Sequence, residues 1–199
     1  MTIIHILWAS PTGRASKCQS QIADTYSPAN DAIEYEYRQI FNDSRFLGPP
    51  RPEWDDLMES IMSGTLIRIS EDELMMHGSD SIPLKDGGYA AGLGVAHSLH
   101  CVRLIKRFIY REQSYPDLSL FSDAFLHTQI HADHCLDYLR QSVMCQVDYS
   151  LYTLYWEASQ QEIPAHHAPG PQKCVNWDSL HAWMRGRSTS TDMLMGPDI

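Results

Sequence analysis

One five-residue pattern, His-x-x-His-Cys, occurs twice in this chain and constrains its fold more than any other feature. The first copy is HSLHC at 97–101, and the second is HADHC at 131–135. Both copies lie in stretches with helical periodicity, and residues three or four positions apart share one face of an α-helix. Each copy therefore predicts two imidazoles and one thiol on a single helix face. A hairpin of the two helices would bring four imidazoles together.

Converging imidazoles predict a metal site. Neutral histidines bind borderline transition metals such as copper and zinc. Because a protonated imidazole cannot bind a metal, we expect metal affinity to decrease as the pH falls through about 6.5. The predicted ligands, which are also the candidate catalytic residues, are His97, His100, His131 and His134.

The cysteines leave several interpretations open. The chain has five, an odd number, and the C-x-x-C spacing of zinc ribbons and thioredoxin-like sites is absent. The motif thiols, Cys101 and Cys135, could bind the metal, form a disulfide between the helices or pack as small hydrophobic side chains. The sequence does not choose among these roles.

Further candidate residues follow the second motif. Asp148 could orient a ligand imidazole through a hydrogen bond, or it could be an ordinary turn residue at a helix end. Tyr149, Tyr152 and Trp156 could line a substrate pocket, although an aromatic core strand is the simpler interpretation. We keep Asp148 as a catalytic candidate and the three aromatic residues as weak substrate-binding candidates.

The hydrophobic pattern predicts a mainly α protein with a few short strands (an α+β fold), built as a single domain around the motif hairpin. The motif helices are expected at about 94–112 and 122–147. Pro52 occupies a favourable first helical position, and a last helix is expected at 177–187. The LYTLYW run at 151–156 predicts a buried strand or an aromatic lid.

Composition and charge limit the partners. The predicted folded domain spans 26–187, between a flexible lead-in at 1–25 and a weakly ordered polar tail at 188–199. A net charge of −10 argues against nucleic acids or an anionic membrane as the main partner. No run of 18 apolar residues is present, so we expect no segment that spans a bilayer.

The paired motifs resemble those of the UstYa-like family of fungal secondary-metabolite proteins, and the resemblance extends over about residues 26–185. Four blocks of sequence carry it. They are YSPANDAIEYE (26–36), KDGGYAAGLGVAHSLHC (85–101), HADHCLDYLRQSVMCQVD (131–148) and CVNWDSLHAW (174–183).

The resemblance implies a tailoring enzyme that oxidises or oxidatively cyclises a peptide or other natural product, with copper as the metal and the four motif histidines as its ligands. It also implies that Asp148 matches an acid of the family and that four cysteines match its thiols or disulfides: Cys101, Cys135, Cys145 and Cys174. A homodimer or heterodimer and a location in the lumen of the secretory pathway are further expectations from the family.

Two departures from the family pattern keep other functions open. Relatives usually begin with a membrane anchor, which this sequence does not show, and Gln172 stands where the family usually has a histidine. One alternative is a metal-independent, redox-neutral cyclase in which the histidines act as acid and base. The other is a non-catalytic interaction module stabilised by zinc.

Overall fold

The computed structural model describes residues 26–40, 42–157, 160–168 and 170–196, so the predicted flexible lead-in lies outside the described residues. The mainly helical fold with a few short strands is confirmed. Within the described part of the chain, the helices are α1 (Pro52–Met62), α2 (Glu71–His77), α3 (Gly94–Ile109), α4 (Arg111–Ser114), α5 (Asp123–Cys145) and α6 (Trp177–Gly186).

The described strands form three separate antiparallel pairs. Strand β1 pairs with β6, β2 with β3, and β4 with β5. Their bounds are β1 (Tyr35–Arg38), β2 (Ile67–Ile69), β3 (Tyr89–Ala91), β4 (Leu154–Glu157), β5 (Gln160–His166) and β6 (Gln172–Val175). Strand β3 lies in a stretch that the sequence analysis did not assign to a strand, because its three residues are too short for an alternating pattern.

The two motif helices pack against each other in antiparallel orientation, as predicted. Helix α5 begins after Ser122, whose side chain accepts a hydrogen bond from the Phe125 N–H at 3.1 Å. Helix α3 ends at Ile109, three residues before the predicted end, because Tyr110 leaves the helical backbone (φ −102°, ψ 40°). Cys101 and Cys135, which contact each other across the two helices, and Ala132 are almost fully buried.

A second packed region forms around β2 and α6. Ile67, Ile69 and Met184 are its buried centre, and Leu74 and Trp183 pack on it. The segment after α6, which we expected to be weakly ordered, is bound here instead. The Thr189 N–H donates to Leu66 O at 3.0 Å and the Met195 N–H donates to Pro83 O at 2.9 Å, so the described part of the tail completes this region.

The expectation of a buried strand at 151–156 is wrong. The strand that forms, β4, begins at Leu154, and this side chain is 61% exposed while Trp156 is 65% exposed. The physical reason is that β4 pairs with β5 in a ladder of two strands, and an isolated ladder leaves its side chains open to water.

Candidate metal centre

The antiparallel packing of α3 and α5 brings one histidine of each motif into contact. The Nε2 atoms of His100 and His131 lie 3.4 Å apart. The Cys135 thiol joins them, and the three ligand atoms all lie within 4.8 Å of one another. Among the described residues, these are the only three histidine, cysteine or acidic side chains close enough together to hold one metal ion. His100 and His131 are half-buried and Cys135 is fully buried.

The separations fit a shared metal ion. Nitrogen ligands lie about 2.0–2.1 Å from zinc, and two such ligands in tetrahedral geometry are then about 3.3–3.4 Å apart. The observed 3.4 Å between the two Nε2 atoms agrees with that value and exceeds the usual length of an N–H···N hydrogen bond. Imidazole and thiolate are the ligand types that copper and zinc prefer. The residues present therefore fit a transition metal.

The other two predicted ligands lie beside this group. The ring of His97 is 5.8 Å from that of His134 and 6.2 Å from that of His100, measured between centroids. His97 also packs on Tyr138 at 4.2 Å, and the Tyr138 hydroxyl donates to Gly94 O at 3.3 Å. The structure thus gathers all four motif histidines in one place but brings the nitrogens of only one pair, His100 and His131, into contact.

Burial keeps the His100 imidazole neutral. Loss of solvent lowers the pKa of His100, and the neighbouring His131, His97 and Arg103 lower it further by repelling a second positive charge. A neutral imidazole has the free lone pair that a metal needs, and it can equally accept a proton from a substrate. Arg103 was not among the predicted site residues, although its position one turn after His100 places it on the same face of the helix.

The two motif thiols differ in surroundings. Burial, followed by the hydrogen bond and charge interaction with Cys135, raises the pKa of the Cys101 thiol to about 12. Cys101 is therefore a neutral thiol packed against Cys135, whereas Cys135 also faces the imidazoles of His100 and His131. All four described cysteines are free thiols; Cys145 is exposed and Cys174 half-buried.

Asp148 contacts residues outside the motifs. Its carboxylate accepts hydrogen bonds from the Ser150 N–H at 2.9 Å and from the Gln172 side-chain amide at 2.6 Å. The Ser150 hydrogen bonds, with a smaller contribution from Gln172, lower the pKa of Asp148. Gln172, at a position where the resemblance led us to expect a histidine, is thus a partner of the acid that the sequence singled out. Both side chains line an open cavity of about 510 Å³ between the end of α5 and β6.

The three aromatic substrate-binding candidates do not lie together beside the motif histidines. Tyr149 is 92% exposed at the edge of the Asp148 cavity. Tyr152 packs edge-on against His166 at 5.3 Å, and Trp156 projects from β4. The role of all three in substrate binding stays a prediction.

Several known proteins are similar in sequence to this chain. Residues of this chain align with the UstYa family oxidase phomYd of Diaporthe leptostromiformis at 32% identity, over 71% of this chain and 46% of the relative. The UstYa family oxidase aprY of Aspergillus flavus is 25% identical over 79% of this chain and 54% of the relative. The transacylase cctO of Talaromyces islandicus is 28% identical over 62% and 47%.

The chain spans about half the length of these curated relatives. No solved structure shows significant similarity to it. None of the helices in the described ranges combines the length and the apolar character that crossing a lipid bilayer requires. The chain matches the family "Mycotoxin biosynthesis protein UstYa" over residues 1–187, and it therefore belongs to the UstYa family.

Proposed function

We propose that the protein is a tailoring enzyme of fungal secondary-metabolite biosynthesis that uses a bound transition metal, copper, to oxidise or oxidatively cyclise its substrate. The observation that carries the proposal is the contact of His100 and His131 with the buried Cys135 thiol at the centre of the motif hairpin. Relatives named as oxidases of this family support an oxidative reaction.

Copper is the proposed metal because of the donor atoms. Imidazole nitrogen and thiolate sulfur bind copper and zinc well, and copper binds most tightly among the divalent first-row metals. When bound, it would supply the one-electron chemistry that dioxygen-dependent oxidation requires. His100, His131 and Cys135 would hold the metal, and His97 and His134 remain proposed ligands or neighbours that shape the site.

The protein residues have three tasks in this proposal. Burial keeps the His100 imidazole neutral and ready to bind. The packing of α3 on α5 fixes the distance between the two motif histidines, so little freedom is lost when the metal binds. The contact with Tyr138 orients the His97 ring beside the metal-binding group.

A redox-neutral reaction is the second candidate function. Its support is that His100 has a lowered pKa and is neutral at physiological pH, as a general base must be. The name of one relative, a transacylase, describes a group transfer without net oxidation. In this alternative the motif histidines would move protons to and from the substrate without a metal.

Comparing metabolite masses distinguishes the two candidates. The gene is deleted in its own host, and the accumulated intermediate is isolated and incubated with the purified full chain, with and without copper and dioxygen. The oxidative proposal predicts a product that has lost hydrogen or gained oxygen, formed only with both additions. The His100→Ala/His131→Ala double variant should form less than about a hundredth as much.

A matched control is His127→Ala, because His127 is an exposed histidine on the same helix whose ring is 6.3 Å from His131. It should keep nearly full turnover. A product of the same mass as the intermediate, formed in the presence of a strong chelator, would contradict the oxidative proposal and establish the redox-neutral one.

A further inference from the structure

A small cavity with two arginines adjoins the proposed metal site. Its volume is about 210 Å³, and its lining is His100, Arg103, Leu104, Arg107 and Tyr115. The lining contains no carboxylate, although acidic residues outnumber basic ones by 25 to 15 in the chain. The cavity is therefore a locally cationic site in an acidic protein.

Of the two arginines that line this cavity, Arg103 is the one without an ion-pair partner among the described residues. Its Nε is buried and makes no hydrogen bond in the described part of the chain, and none of the described ion pairs includes it. The positive charge of Arg103 also acts on His100, where it contributes to lowering the pKa of the imidazole. A partly buried guanidinium without a carboxylate partner is costly, so the cavity favours a ligand that brings a negative charge to Arg103.

Arg107 provides the contrast. It lies one turn further along α3 and binds the Asp55 carboxylate of α1. Arg107 is thereby held in place and partly neutralised, whereas Arg103 keeps its full charge for a ligand. The spacing of His100, Arg103 and Arg107 places all three on one face of α3.

A second cavity, with a partly apolar lining, adjoins the cationic one. It has a volume of about 190 Å³, and Tyr115 lines both cavities. Its apolar walls are Pro116, Leu118, Leu120 and Phe125, and Arg111 and Glu112 complete the lining. A molecule with an anionic group and an apolar body could therefore occupy both cavities at once.

We propose that the Arg103 cavity binds a carboxylate of the substrate, while the apolar part of the same molecule lies in the cavity on the other side of Tyr115. The substrate is then an organic acid, either a peptide with a free carboxylate or another carboxylated metabolite. This inference rests on the proposed function, because it treats the adjacent histidines as the site of reaction.

The geometry suits a carboxylate in particular. A guanidinium presents parallel N–H donors that match the two oxygens of a carboxylate, and such charged hydrogen bonds are about twice as strong as neutral ones. The neighbouring apolar walls favour an organic acid over inorganic phosphate, which has no apolar part to bury. Binding at Arg103 would place the substrate beside His100 and position it for reaction.

The test measures binding of benzoate to the metal-free full chain by isothermal titration calorimetry. Benzamide is the uncharged probe of the same shape, and inorganic phosphate is the anion without a ring. We expect benzoate to bind at least about tenfold more tightly than either. Arg103→Gln should weaken benzoate binding by about tenfold or more, and Arg103→Lys, which keeps the charge but loses the fork, by less.

The matched control is Arg140→Gln. Arg140 is an exposed arginine on α5 that pairs locally with Asp137, so its loss changes the net charge equally but leaves the cavity intact. Benzoate binding should be unchanged in this variant. Equal binding of benzoate and benzamide, equal weakening by Arg103→Gln and Arg140→Gln, or tighter binding of phosphate than of benzoate would overturn the proposal.

A measurement on the unmodified protein keeps the test decisive if Arg103→Gln fails to fold. In arginine-detected NMR, benzoate should shift the Nε–H resonance of Arg103 more than those of the other arginines, and an unchanged resonance would overturn the inference. Metal content is measured separately. A protein that binds copper through its histidines but ignores benzoate refutes only the carboxylate site, and the reverse result refutes only the metal site.

Discussion

Burial holds neighbouring side chains of the first motif in their uncharged forms, with different consequences for each. The neutral His100 imidazole gains a lone pair for a metal or a proton, whereas the neutral Cys101 thiol loses its nucleophilic and metal-binding form. Burial thus favours metal binding by the His100 imidazole and disfavours it by the adjacent Cys101 thiol. The proposed metal site therefore includes Cys135 of the second motif, which lies with His100 and His131, and not Cys101.

We predict that Cys101 resists alkylation in the folded protein. Its thiol is fully buried and its pKa is raised to about 12, so almost no thiolate is present at pH 8. Iodoacetamide at pH 8, followed by peptide mass spectrometry, should label the exposed Cys145 within minutes and Cys101 only after unfolding. Equal labelling rates of Cys101 and Cys145 in the native state would refute this assignment.

At the residue scale, the sequence predicted which histidines lie close together better than it predicted the contacts of the other site residues. Spacing predicted that the four motif histidines would lie close together, as they do, because helix geometry fixes which side chains share a face. Spacing could not show that Cys135 faces the imidazoles while Cys101 packs behind them, since that depends on how the helices are rotated. The contact of Asp148 with Gln172 joins residues far apart in sequence and requires the folded chain.

At the scale of elements, the packing of α3 on α5 determines the site. Cys101 of α3 contacts Cys135 of α5, and these small buried side chains let the backbones approach and bring the imidazoles of the two helices together. Ala132, one turn before Cys135, is also buried. A larger side chain at this contact should move the helices apart and separate the two nitrogens.

We predict that Ala132→Leu destabilises the protein by about 1–3 kcal/mol, because Ala132 is almost fully buried and the added carbons have no free space there. Ala124→Leu is the matched control, since Ala124 is exposed on the same helix. It should change stability by less than about 0.5 kcal/mol. Urea unfolding followed by circular dichroism measures both changes, and equal effects of the two substitutions would refute the packing described here.

Long elements with a clear capping or starting residue were predicted more accurately than short ones. Helices with a clear start, such as α1 at Pro52 and α5 after Ser122, were predicted to within one residue. Strand β3 was missed, and of the two predictions for 151–156, a buried strand or an aromatic lid, the buried strand is wrong because β4 is exposed. Short strands depend on partners distant in sequence, which hydrophobic alternation cannot identify.

At the scale of the whole molecule, the described chain has two packed regions with different tasks. The region around Ile67 and Met184 has an apolar buried centre, which contributes to stability, and contains none of the motif residues. The motif hairpin buries few large side chains and holds the histidines, the thiols and the cationic cavity. A metal bound to both α3 and α5 would link these helices directly and stabilise the hairpin.

The measurement that tests the central claim most directly is elemental analysis of the full chain after reconstitution with copper and, separately, with zinc. The wild type, His100→Ala, His131→Ala, Cys135→Ser and the His127→Ala control are compared. We predict about one copper per chain in the wild type and control, and a roughly tenfold or greater loss in both histidine variants and in Cys135→Ser. Tight binding of zinc alone would favour a structural site, and a wild type without metal, or His100→Ala and His131→Ala variants that keep it, would contradict the account.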